Sequence, residues 1–218
     1  MKYGTRTGSV AKAKTQCAIV GVYETGDLTP SAQNLDEASS GYLKKVLNRG
    51  DIAGKANQVQ ILHDVPNIGA TRVMLIGLGK PKSMDPTRFA GIAKAASNNL
   101  KTLAAKQVLC CLTEVDFEDH NIAWRTEKLI ETLSATFYSF TNFKGKKPQK
   151  SYTTESVDFV ASSRSTKRQI ESSIHNASAL SKGIAEAKDL GNTPGNICTP
   201  TFLAKRARQL AKQYGTLS

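Results

Sequence analysis

AKDLGNTPGNICTPTFL, residues 187–203, reads as a helix stop, a turn and a fresh helix start. Gly191 and Asn192 are residue types that tolerate the left-handed conformation of a helix C-cap, so a helix is expected to end near Leu190. Pro194 fixes its own φ and pushes Thr193 away from helical geometry, and Gly195 adds a flexible point. Thr199 is a good N-cap, and Pro200 suits the first helical position, where its missing N–H costs nothing. Leu203, Ala207, Leu210 and Tyr214 follow at helical spacing, with Gly215 placed as a C-cap. Local chemistry alone favours an ordinary inter-helix loop over a joint between domains.

Outward from this stretch, the chain alternates strand and helix patterns. Ile170, Ile174, Ala177, Leu180, Ile184 and Ala187, at steps of three and four, mark a long helix before the turn. Short apolar or β-branched runs predict strands at 18–23, 59–63, 72–78, 107–113 and 157–161. Asp85 caps and Pro86 starts a helix with the stripe Phe89, Ile92, Ala96, Leu100 and Leu103. Ile122, Thr126, Leu129, Leu133 and Phe137 mark another, and Leu35, Ala38, Tyr42 and Val46 mark an earlier one. The alternation predicts an α/β layer architecture with some parallel pairing and right-handed crossovers. The polar, basic segment 142–156 reads as a loop, and there is no internal repeat.

The joint, together with CAIVGVY at 17–23, GYLKKVLNRG at 41–50, RVMLIGLGK at 72–80 and LTE at 112–114, resembles the leucyl aminopeptidase (cytosol aminopeptidase) family. DLGN at 189–192 and NICTP at 196–200 carry most of the specificity, while Gly195 departs from an expected second proline. The resemblance implies a mixed, partly parallel sheet between helices, similar to the macro domains that bind ADP-ribose, followed by a linker helix. It places an amino-terminal domain at 1–165, the linker helix at 166–192, and the joint with the first helix of a truncated catalytic domain at 193–218. The intact family enzyme removes amino-terminal residues, preferring leucine, with two divalent ions, manganese or zinc, in a hexamer. Those ligands lie in a carboxy-terminal domain around an Asn-Thr-Asp-Ala-Glu-Gly-Arg motif that this sequence lacks. The expectation is therefore a non-catalytic domain with no metal of its own, whose partner is the missing catalytic domain.

Length and composition suit a folded module. The 218 residues are 39% hydrophobic and 22% charged, ordinary values for a globular chain. No apolar run approaches the roughly 18–20 residues of a membrane span, and the first residues lack the apolar core of a secretion signal, so no membrane partner and a cytoplasmic address are expected. Cys17, Cys110, Cys111 and Cys198 have no framework spacing and are read as buried free thiols.

Within these residues, chemistry-bearing patterns are sparse. Glu114, Asp116, Glu118, Asp119 and His120 form a dense acidic patch, better read as a solvated helix entrance than as a metal site. His63 and His175 have no ligand partners at helical spacing. The turn GLGKP at 77–81 and GDIAGK at 50–55 both depart from a phosphate loop, the first by Pro81 after the lysine, the second by its spacing and by Ala56 in place of a hydroxyl. Charge is the remaining feature: 30 Lys and Arg against 18 Asp and Glu give a net charge of +12. Lys144, Lys146, Lys147 and Lys150 crowd one loop, Arg164, Lys167 and Arg168 open the next helix, and Lys205, Arg206, Arg208 and Lys212 line the last. Such loops engage phosphates without reading bases. The alternatives are thus a DNA-binding module acting in recombination or transcriptional control, as some bacterial family members are, and an ADP-ribose-type ligand domain. A solvated basic face, or one meeting acidic parts of the missing domain, accounts for the charge equally well.

Overall fold

The computed structural model describes residues 1–115, 117, 119–141 and 153–215. Its strands are β1 (Lys2–Arg6), β2 (Cys17–Val22), β3 (Val59–His63), β4 (Arg72–Gly77), β5 (Gln107–Cys110) and β6 (Ser156–Val160). Its helices are α1 (Pro30–Ala38), α2 (Tyr42–Asn48), α3 (Pro86–Thr102), α4 (Ile122–Phe137), α5 (Arg164–Asn192) and α6 (Pro200–Tyr214). The sheet runs β1-β6-β5-β2-β4-β3, parallel throughout except for antiparallel β3 at one edge.

The two central apolar runs dictate this layering. CAIVGV in β2 is buried along its whole length and RVMLIG in β4 nearly so, as expected of parallel strands covered on both faces. Alternate residues then feed two cores. Ile19, Met74, Ile76 and Phe159 join Phe89, Leu129 and Ile170 beneath α3, α4 and α5. Val20, Val73 and Leu75 join Leu35, Leu43 and Val46 beneath α1 and α2. The expected mixed α/β sheet between helices is observed.

Several elements differ from expectation for identifiable reasons. The stripe through Leu35, Ala38, Tyr42 and Val46 belongs to two helices, because Ser40 (φ 56°) and Gly41 (φ 77°) are left-handed and break the run. Buried Asp36 holds the corner by accepting from the Lys44 amide at 3.0 Å. β5 stops at Cys110, and the expected strand residues 112–113 lie in a 3-10 turn, Leu112–Glu114. β1 was not foreseen, since KYGTR has no apolar run and forms a half-exposed edge.

The end of α5 is also a correction. Gly191 and Asn192 are helical, and the helix stops at Thr193, which is extended (φ −74°, ψ 127°). The steric demand of Pro194 on the preceding residue, rather than a left-handed cap, ends it. The other caps are as read: Asp85 accepts from Arg88 N at 2.8 Å, Thr199 accepts from Phe202 N at 3.3 Å, and Gly215 is left-handed (φ 63°). Among the described residues, no helix is long and apolar enough to cross a membrane.

Candidate functional site at the helical joint

The joint is built by α5 and α6. The 29-residue α5 is about 43 Å long at the standard rise. Its N-terminal half is fixed to the body by Ile170, Ser173 and Ala177, the residues it buries. Helix α6 buries none. A groove of about 1060 Å³ lies between the two helices, its apolar side formed by Ile174, Ala179, Ala187, Leu190, Leu210 and Tyr214. Tyr214 (53% exposed) leaves apolar surface uncovered in it, and Leu180 (52%), Ile184 (41%) and Leu203 (44%) leave more elsewhere on the two helices. Helical spacing puts these side chains on faces suited to packing, and nothing among the described residues packs against them fully.

One ion pair links the two helices. Arg206 of α6 grips Glu186 of α5 with two donors, Nε to Oε1 and Nη2 to Oε2, the latter at 2.6 Å. The bidentate hydrogen bonds hold the Glu186 carboxyl below its usual range and raise the Arg206 guanidinium further. Tyr138, at the end of α4, ties the last turns of α5 to the body through Asp189 and Asn192. Neither Tyr138 nor Glu186 was singled out from the sequence. Their partners lie 51 and 20 residues away, beyond the reach of helical periodicity.

The expected basic residues do not form one described surface. Lys144, Lys146, Lys147 and Lys150 lie outside the described residues. Arg164 and Arg168 are exposed in the first turns of α5, and Lys167 Nζ pairs with Glu171 at 3.7 Å. Lys205, Arg208 and Lys212 are exposed on α6, whose contact point Glu186 is about 33 Å further along α5 from Arg164. Arg206 is committed to Glu186.

Of the acidic patch, Asp119 is exposed just before α4, as expected of a solvated entrance, and Glu114 departs from it. Asp116 and Glu118 lie outside the described residues. Glu114 crosses to α1, where its carboxylate accepts from Ser31 N at 2.9 Å and Ser31 Oγ at 2.6 Å. The reason is local: the hydroxyl of the N-cap residue Thr29 accepts from Gly21 N at 3.3 Å, leaving the helix start without a cap of its own. His120 lies tilted against Trp124, ring centres 4.0 Å apart. His63 and His175 are exposed, the latter lining the α5–α6 groove.

Glu114 sits at a telling place. β2 and β5 are parallel neighbours, and the chain leaves β2 for α1 on one face and β5 for α4 on the other. Doubly wound folds bind ligands in such a crevice. Here the carboxylate of the chain itself occupies the helix start that would receive an anion.

Burial dominates the thiols: it pushes Cys17 and Cys110 up to about 12 and Cys111 well above the usual range. The fourth, Cys198, departs from the expected buried set, being half-exposed in the joint. Among the described residues, no three His, Cys, Asp or Glu side chains converge to hold a metal ion. The donor set for two-metal hydrolysis is therefore not found among them.

This is an α/β domain with a helical exit whose apolar side stands open. The family model described as "Cytosol aminopeptidase family, N-terminal domain" matches residues 19–147, more than half of the chain, and the chain belongs to that family. Among solved structures it is similar to a mutant of tomato leucine aminopeptidase, with 22% identity and a TM-score of 0.72 over 99% of this chain and 43% of that one. It is also similar to the bottromycin maturation enzyme BotP, with 18% identity and a TM-score of 0.67 over 92% of this chain and 38% of that one. BotP in complex with Mn matches with 19% identity and a TM-score of 0.66 over 92% of this chain and 37% of that one. These likenesses show the fold. The chain thus spans less than half the length of these solved relatives.

Proposed function

We propose that this chain is the non-catalytic part of a cytoplasmic leucyl aminopeptidase-like enzyme. Its intact form removes amino-terminal residues, leucine by preference, by hydrolysis assisted by two manganese or zinc ions held in a following domain. The observation that carries this reading is the match to the amino-terminal domain of the family combined with an exit helix, α6, that buries no residue. Helix α6 and the distal part of α5 are then the seat for the catalytic domain, and assembly into a hexamer belongs to that intact form. The solved relatives support the activity: one is a leucine aminopeptidase and another was solved with manganese.

The residues of this chain do three things in that scheme. The two cores hold a rigid body. Tyr138 and Arg206 fix the course of α5 and α6. The apolar groove supplies surface for the following domain to cover, worth about 25 cal/mol per Å² of apolar area removed from water. The ADP-ribose alternative loses its anion position to Glu114. The DNA alternative has its four loop lysines outside the described residues and its described basic residues divided between the start of α5 and helix α6.

The test is release of the chromophore from a leucine anilide with added manganese. The purified chain alone is expected to give no turnover above the buffer and metal control. Turnover that follows the polypeptide through purification would overturn the reading.

A further inference from the structure

The last turns of α5 are held from two sides. On the body side, Tyr138 closes α4 in extended conformation (φ −60°, ψ 135°) and reaches across. Its hydroxyl donates to Asp189 Oδ1 at 2.7 Å and accepts from Asn192 Nδ2 at 3.2 Å. Lys188 Nζ stands 5.1 Å from the centre of the same ring. On the α6 side, Glu186 binds Arg206. Thr193 Oγ1 seals the final turn by donating to the Asp189 carbonyl at 2.7 Å. Glu186, Asp189 and Asn192 follow at steps of three, so both attachments act on the same stretch of helix.

Among the described residues, full burial is thin along that stretch. Past Ala177, α5 contributes no fully buried residue. The seam it shares with α4 is lined there by Ser134, Ala135, Tyr138, Ser181, Ile184 and Ala185 and encloses a cavity of about 40 Å³. Ser181 Oγ is buried in this region with no hydrogen-bond partner among the described residues. Helix ends with few buried contacts open locally at low free energy. The Tyr138 phenol, touching Lys188, Asp189 and Asn192, is therefore a direct tie between these last turns and α4.

We propose that Tyr138 is a positioning residue that latches the end of α5 to α4 and so sets the direction in which the chain enters the 193–199 turn and α6. A tyrosine phenol, with its ordinary value of about 10, is protonated and able to donate at neutral pH, and desolvation followed by the hydrogen bond to Asp189 raises it further. Because the Glu186–Arg206 pair rides on the same turns, releasing Tyr138 loosens the attachment of α6 as well. What that direction means for a following domain rests on the functional reading above. The latch belongs to this chain and is tested without any activity.

The experiment is amide hydrogen exchange on the whole chain at neutral pH. Y138F removes the hydroxyl and keeps the ring beneath Lys188. It is expected to speed exchange of the amides of residues 190–198 about tenfold, and of α6 in the same direction, leaving β2 and β4 protected as before. N192A is expected to give a smaller change at the same amides. D189N retains an acceptor for the phenol and is expected to stay near wild-type protection, whereas D189A follows Y138F. Exchange in Y138F within twofold of wild type would overturn the latch. So would an equal acceleration across the sheet, which reports general destabilisation. If Y138F fails to fold, the contrast between D189N and D189A decides by the same readout.

Discussion

Glu114 joins the exit of β5 to the start of α1, two places separated by 83 residues of chain. It satisfies one amide and one hydroxyl that the helix start cannot satisfy itself, and so takes the position at the start of α1 that an anion would need. Glu114→Ala strands both donors in a half-buried setting and is expected to cost about 1–3 kcal/mol, read from the midpoint of denaturant unfolding. An unchanged midpoint would show that the contact contributes nothing. The cysteines give a second expectation at this scale. Cys17, Cys110 and Cys111 are buried with raised thiols, and Cys198 is half-exposed. A thiol reagent at neutral pH should label Cys198 in the native chain and the other three only on unfolding, as counted by mass spectrometry. Prompt native labelling of Cys17 or Cys110 would contradict the buried assignment.

At the scale of elements, what could be read from sequence was what neighbours in sequence decide. The starts of α3 and α6 were legible because Asp85-Pro86 and Thr199-Pro200 place a cap and a proline side by side. The strands β2 and β4 were legible because burial on both faces leaves an unbroken apolar run. β1 was not, because an edge strand needs apolar residues on fewer positions. The break between α1 and α2 was missed because Leu35, Ala38, Tyr42 and Val46 keep a helical step across a left-handed corner that their spacing does not register. The attachment of α6 was illegible too, since Glu186 and Arg206 meet across the turn.

That attachment carries a pH dependence. The Glu186 carboxyl is lowered by Arg206, so its contribution is fully present above the unfolded value of about 4.5 and is lost as pH falls through the lower folded value. A partly exposed pair contributes about 0.2–1 kcal/mol, so global stability barely moves while α6 loosens. Exchange-rate or chemical-shift profiles of α6 amides should show this loosening below pH ~4 and none between pH ~5 and ~8. An α6 insensitive to acid would contradict it. Thr199→Ala, which removes the N-cap, is expected to destabilise α6 by about 1 kcal/mol with little effect on the sheet.

For the whole molecule, the sheet and its two cores account for a stable body, and α5 and α6 form the joint that the proposed reading rests on. The chain belongs to the cytosol aminopeptidase family, and its described residues show no convergence of metal ligands. The open groove between α5 and α6 is where a further domain would remove apolar surface from water. The most direct measurement is a calorimetric titration of the purified chain with manganese and then zinc. The account predicts no saturable uptake of two ions by each chain. Saturable binding of two ions, lost on substitution of carboxylates within these 218 residues, would contradict it.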